Sequence, residues 1–119
     1  MSKKILVVDD EADVRTFLTA VLKKEGYVTV TAEDGMQALE VARQEQPALV
    51  ILDLQMPNKT GTEFYRNLSK DKTLKDTPII VVSGLAGRDL ALRKPAASFD
   101  KPIEPRAFIA AVEKAIGPA

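Results

Sequence analysis

Ile5-Leu6-Val7-Val8-Asp9-Asp10 is the stretch that decides the fold: an unbroken apolar run meets two adjacent carboxylates. Leu49-Val50-Ile51-Leu52 repeats the pattern and is closed by Asp53. Short uninterrupted apolar runs of this kind read as buried strands. Acids at the tips of buried strands need a physical reason. Two like charges about 4 Å apart repel by roughly 4 kcal/mol at an effective dielectric near 20, so three converging carboxylates call for a cation or for protonation. An all-oxygen cluster suits a hard divalent ion, and Mg²⁺ is the expected one.

Outward from these two runs, short segments rich in Val and Ile alternate with segments of helical period. That alternation predicts βα units and a parallel sheet. The expected strands are Lys4–Val8, Val28–Thr31, Leu49–Leu52, Ile79–Val82 and, more weakly patterned, Ser98–Phe99. In the first helix Val14, Phe17, Leu18, Val21 and Leu22 form one apolar stripe, and Gly26 ends it. A second helix starts at Asp34, with Gln37 three residues on as capping partner; it buries Met36, Leu39 and Val41 or Ala42 and stops before Pro47. The third spans about Thr62 to Ser69 with Phe64 and Leu68 inward. The last starts at Pro105, carries Phe108, Ile109, Val112 and Ile116 inward, and ends at Gly117-Pro118. Phe17, Phe64 and Phe108 are all expected in the core. Between Gly84 and Ala97 the pattern is least helical, and only a short or irregular helix around Arg88–Arg93 is expected.

The chain has 119 residues, 45% of them hydrophobic, which suits one domain with one core over residues 1–119. Seventeen basic and seventeen acidic residues balance to zero, so no global positive field draws the chain to nucleic acid or to an anionic membrane. Neither cysteine nor histidine occurs. Disulfides, thiolate chemistry, the usual zinc sites and histidine general bases are thereby excluded. The N-terminal apolar run is too short for a signal peptide or a membrane span, so a soluble, cytoplasmic protein is expected.

In open α/β sheets, ligands bind beyond the carboxyl ends of strands where the strand order reverses. If the first and third strands are neighbours, Asp9, Asp10 and Asp53 converge there, with Ser83 and Lys101 closing the rim. This set suits phosphoryl transfer to a carboxylate. Asp53 can attack phosphorus, Asp10 and Asp53 can hold Mg²⁺, and Ser83 and Lys101 can bind the other phosphoryl oxygens. No general base is required, since the carboxylate is already ionised. Each residue also has a plainer reading: Asp9-Asp10-Glu11 as a helix cap, Asp53 and Ser83 as turn residues, Lys101 as a solvated side chain. Their register along the chain favours the shared site.

Asp9-Asp10-Glu11, Asp53-Leu54-Gln55-Met56-Pro57 with Gly61, Ser83-Gly84 and Lys101-Pro102 together resemble the response-regulator receiver domains of two-component signalling, over essentially the whole chain. The stand-alone type, similar to the chemotaxis response regulators, is the nearest likeness. The resemblance implies an α/β, flavodoxin-like fold: a doubly wound, five-stranded parallel sheet in the order 2-1-3-4-5 with helices on both faces. It also implies Asp53 as phosphoacceptor, Asp10 as direct Mg²⁺ ligand, Asp9 as its water-mediated partner, and the Gln55 carbonyl as a further ligand. Ser83 matches the switch hydroxyl and Lys101 the lysine that pairs with the phosphoryl group. The implied donor is a sensor histidine kinase or a histidine phosphotransfer protein, and the implied output is a contact with another protein, with no output domain in the chain. Catalysis is limited to assisting its own phosphorylation and dephosphorylation.

Two features depart from the family pattern. The position three before the lysine, usually aromatic, is Ser98; Phe99 follows it and, facing the other side of a strand, is expected to fill the core. Seventeen residues separate Ser83 from Lys101, fewer than is common, which implies a shortened or irregular fourth helix. These departures keep open a phosphorylation-independent, receiver-like binding module. An aspartyl phosphatase is a third reading, opposed by Gln55 where such enzymes place a second acid.

Overall fold

The structure is a computed structural model that describes residues 3–53, 60–83, 97–100 and 103–119, without the side chains of residues 60–62, 83, 97–98 and 100. In chain order the elements are β1 (Lys4–Val8), α1 (Ala12–Lys24), β2 (Val28–Ala32), α2 (Gly35–Glu45), β3 (Leu49–Asp53), α3 (Thr60–Lys70), β4 (Ile79–Ser83), β5 (Ala97–Asp100) and α4 (Pro105–Ile116). The helix expected around Arg88–Arg93 lies outside the described residues.

Every strand pairing is parallel, and the order across the sheet is β2-β1-β3-β4-β5. Register and side-chain parity together build two cores. Leu6 pairs with Val50 and Val8 with Leu52, and all four point to one face. Ile5 pairs with Leu49 and Val7 with Ile51, and these point to the other. The first face is covered by Ala38 and Ala42 of α2 and by Phe64, Tyr65 and Leu68 of α3. The second is covered by Leu18 and Leu22 of α1 and by Phe108 and Val112 of α4. Helices on both faces explain why the inner strands β1, β3 and β4 are continuously apolar, whereas the edge strand β2 alternates valine with threonine and leaves Val28 exposed. Each buried Val, Leu or Ile contributes about 1.5–3 kcal/mol of transfer free energy.

The helix ends follow local chemistry. Asp34 Oδ1 accepts from the Gln37 backbone N–H at 2.8 Å, and Gln37 Oε1 accepts from the Glu33 N–H at 2.6 Å, so the expected reciprocal cap forms one residue earlier on its return arm. The second helix stops at Gln46, left-handed at φ 49°, just before Pro47. Gly26 follows α1 with φ 95°, a conformation that favours glycine. Phe99 packs edge-on to Phe108, ring centroids 6.0 Å apart and planes at 74°, as its parity on the strand implied.

Two expected core residues are not in the core. Met36 is 81% exposed: the buried stripe of α2 is Gly35, Ala38 and Ala42, and Met36 stands about 100° round the helix from Gly35. Phe17 is 41% exposed because Leu18 and Leu22, with Val14 and Val21 at their flank, already cover the sheet beneath α1. The third helix is longer than expected by two residues at its start and one at its end.

The C-terminal end of α4 is tied to the opposite end of the chain. Tyr27, buried against α1, donates its hydroxyl to the Gly117 carbonyl at 2.7 Å, and Lys3 Nζ donates to the carbonyls of Ile116 and Pro118. Burial, and then the nearby charges of Glu113 and Glu25, push the Tyr27 phenol above its ordinary value.

Phe108→Ala should lower unfolding free energy by about 3–5 kcal/mol, whereas Phe17→Ala should cost about 1 kcal/mol or less, as read by urea denaturation of each variant. The raised phenol predicts a pH effect with a definite sign. Folding keeps the Tyr27 proton, so its contribution is complete below about pH 10 and lost as pH climbs from there through the raised value. Stability should therefore fall less steeply over that alkaline range in Tyr27→Phe than in the parent chain.

Candidate functional site

Asp9 and Asp53 reach the same place because β1 and β3 are parallel neighbours: Val8 pairs with Leu52, so the next residue on each strand is an aspartate. The Asp9 N–H still donates to the Ala32 carbonyl at 3.2 Å, extending the β1–β2 ladder by one residue. Asp9 is fully buried, Asp53 is 2% exposed, and Asp10 is exposed. Carboxylate oxygens of all three lie within 4.8 Å of one another. The convergence expected from the two apolar runs is present.

Local bonds hold this cluster in shape. Asp9 Oδ1 accepts from the Glu11 N–H at 2.9 Å, a two-residue side-chain turn that fixes the Asp9 carboxylate at the entrance to α1. Glu11 occupies the N-cap of α1, but its side chain makes no capping hydrogen bond. Of the Asp9-Asp10-Glu11 triplet, Asp9 thus serves the backbone at the helix entrance, and Glu11 does not cap it with its side chain. Arg15, one turn into α1, donates through Nη1 to the Asp9 carbonyl at 2.7 Å while its Nη2 lies 3.5 Å from Glu33 Oε1. A guanidinium thus ties the acid-bearing loop after β1 to the loop after β2. Arg15 gave no signal in the sequence, because nothing in its spacing distinguishes it from an ordinary solvated arginine on a helix.

Asp9, Asp10 and Asp53 offer the chemistry a magnesium ion needs. At bond lengths of 2.0–2.1 Å an octahedral ion sets its oxygens no more than about 4.2 Å apart, so carboxylates within 4.8 Å of one another are near enough to converge on one ion with small side-chain movements. Asp53 pairs with Val82, so Ser83 ends β4 one residue beyond the aspartate, in register with Asp100 on β5. The Ser83 side chain, Gln55 and Lys101 lie outside the described residues. No described helix is long and apolar enough to cross a membrane.

Residues 5–113 match the model of the response regulator receiver domain. Protein Rrf1 of Nitratidesulfovibrio vulgaris is 29% identical over 98% of this chain and 84% of its own length. The phosphate regulon transcriptional regulatory protein PhoB of Pseudomonas aeruginosa is 34% identical over 99% of this chain and 55% of its own length. The chain thus spans most of one relative and about half of the other. Among solved structures, the chemotaxis protein CheY4 of Vibrio cholerae superposes with a TM-score of 0.88 at 27% identity, covering 97% of this chain and 99% of that one. The receiver domain of the sensor histidine kinase PA1611 of Pseudomonas aeruginosa, which holds a magnesium ion in its active-site cleft, shares the fold with a TM-score of 0.88 at 22% identity and coverage of 98% and 99%. A flavodoxin-like parallel sheet, an acid cluster at its carboxyl edge and a family match over nearly its whole length lead to one conclusion: the chain belongs to the response regulator receiver domains, the phosphorylation-dependent switches of two-component signalling.

Proposed function

We propose that Asp53 is the phosphoacceptor of this receiver and that Asp9, Asp10 and Asp53, with the Gln55 carbonyl, form a Mg²⁺ site beside it. The observation that carries this reading is the convergence of three carboxylates at the tips of β1 and β3, two of them buried, in a family built around aspartyl phosphorylation. The magnesium of the PA1611 receiver domain adds support from the same fold.

The work of the chain's own residues follows from placement. The rigid β1–β3 register holds Asp53 against Asp9 and Asp10, so the acceptor is oriented before a donor arrives. An Asp53 carboxylate oxygen forms the new P–O bond while the donor's P–N bond breaks, and the bonding pair leaves with the donor's imidazole nitrogen. A carboxylate needs no base to do this, which suits a chain without histidine. Bound Mg²⁺ would supply neutralising charge for the three carboxylates and the phosphoryl oxygens. Lys101 and Ser83 are assigned to the remaining phosphoryl oxygens. Arg15 is a positioning residue that holds the Asp9 backbone.

The donor in this reading is a sensor histidine kinase or a histidine phosphotransfer protein, and the signal passes on by protein contact in the cytoplasm. Catalysis extends no further than the receiver's own phosphorylation and dephosphorylation. A shortened helix between β4 and β5 is part of the same reading.

Incubation with Mg²⁺ and a small-molecule phosphodonor should add one phosphoryl group to the parent chain and none to Asp53→Asn, with chelator abolishing the gain, as read by intact mass. No gain in the parent chain would sink the proposal. Arg15→Ala should weaken Mg²⁺ binding by about 1 kcal/mol, roughly fivefold in Kd, with the fold unchanged by circular dichroism. Equal affinity in both proteins would remove Arg15 from the site.

A further inference from the structure

Among the described residues β2 forms one edge of the sheet, and its residues leave that edge without protection. Val28-Thr29-Val30-Thr31-Ala32 holds no charge and no proline, and its five pairings with β1 run in unbroken register, without a bulge. Charges, prolines and bulges are the devices that ordinarily keep one open strand from pairing with another. The opposite edge has one of them, since β5 ends in Asp100. Helices α1 and α2 both touch β2, yet Val28 and Thr31 are exposed and Thr29 and Val30 only half-buried.

The direction of the peptide groups alternates along β2. The Val28 N–H donates to the Lys3 carbonyl at 2.9 Å and the Ala32 carbonyl accepts from the Asp9 N–H at 3.2 Å, so residues 28, 30 and 32 turn their peptide groups toward β1. Thr29 and Thr31 turn theirs the other way, out of the sheet edge. Side chains alternate as well. Val30 and Ala32 belong to the core on the α2 side, Val28 shares their face, and both threonines are on the α1 side.

Read outward from Val30, the strand is nearly the same in both directions: a threonine on either side, then Val28 at one end and Ala32 at the other. Two copies laid antiparallel about a two-fold axis through Val30 therefore match group for group, as an isologous interface requires. Thr29 of each copy faces Thr31 of the other as a hydrogen-bonded pair, N–H to C=O in both senses, which makes four backbone bonds in all. Val30 faces its own counterpart, and each exposed Val28 comes to lie beside the other copy's Ala32. One row across the seam is then wholly apolar and the other wholly threonine, and Thr–Thr pairs are among the favourable cross-strand contacts. Charge does not oppose the approach. Glu33, the first charge past the strand, lies 3.5 Å from Arg15 and would stand about 20 Å from the other copy's Glu33, well beyond the screening length at physiological salt.

We propose that two copies of this chain associate edge to edge through β2, antiparallel about Val30, so that one sheet continues across both. A strand of five residues is about 17 Å long, so the contact belongs to the small, reversible class of interfaces. It does not depend on Asp53 as phosphoacceptor.

Sedimentation velocity of the full chain from about 10 μM to about 1 mM tests the proposal, with a dissociation constant on the order of 0.1 mM expected. The parent chain should pass from monomer to dimer over that range. Thr31→Pro should weaken association by about tenfold or more, because it removes an outward N–H from each copy while the ladder to β1 keeps its own bonds. Thr29→Glu with Thr31→Glu should weaken it at least as much, since like charges then oppose each other twice across the seam. Thr29→Lys with Thr31→Glu should restore association, since the same two positions then pair opposite charges. Those two double variants alter the same positions on the same open edge, so the difference between them reads the contact and not the fold. If circular dichroism finds Thr31→Pro unfolded, that difference alone decides. A parent chain that stays monomeric at about 1 mM overturns the proposal and leaves the edge to an extended segment of another protein. Dimerisation that the double glutamate variant leaves intact, or that the lysine–glutamate variant fails to restore, overturns it equally.

Discussion

Mutual repulsion among Asp9, Asp10 and Asp53 is the constraint around which this domain is arranged. Isolated carboxylates would separate into water, yet here their oxygens sit within 4.8 Å and two of the residues are buried. Local bonds shape the cluster, and a larger constraint comes from the sheet. It is the burial of β1 and β3 on both faces, in a register that leaves one aspartate at the tip of each strand. Because Asp9 and Asp53 directly follow core residues of those strands, the fold's apolar free energy fixes where their backbones lie. A cation bound there would offset the repulsion among the three carboxylates.

The same sheet sets the division of labour among the helices. Leu6, Val8, Val50 and Leu52 bring α2 and α3 to one face, while Ile5, Val7, Leu49 and Ile51 bring α1 and α4 to the other. The helix α1 serves both ends of the molecule. Its first turn carries Arg15, bonded to the Asp9 carbonyl, and its last turns line a groove beside α4. The far end of that layer is closed by Tyr27 and Lys3, whose bonds to the carbonyls at Ile116, Gly117 and Pro118 satisfy acceptors that a helix end leaves without internal partners.

Much of this was legible in the chain itself, for reasons that differ by residue. Asp34 with Gln37 was readable as a cap because a side-chain oxygen three residues from an N–H is a local geometric fact. Leu18, Leu22, Phe108 and Val112 were readable because helical period alone places them on one face. Phe17 and Met36 were misjudged because period gives the direction of a stripe but not its width, and the width is set by how much of each helix the sheet beneath can cover. Arg15 was not readable, since its partners, the Asp9 carbonyl and Glu33, are brought to it by two different strands.

The amino-acid sequence by itself determined the alternation of strands and helices, the placement of an acid at the end of two buried strands, and the family to which the chain belongs. These are properties of residue type and spacing, which neighbouring residues specify. Only the tertiary structure decided how near to one another three carboxylates come, that an arginine braces their loop, and that Phe17 and Met36 stay outside the core. Those outcomes depend on strand register and helix packing, which are settled by long-range burial across the whole sheet and cannot be read from any one segment.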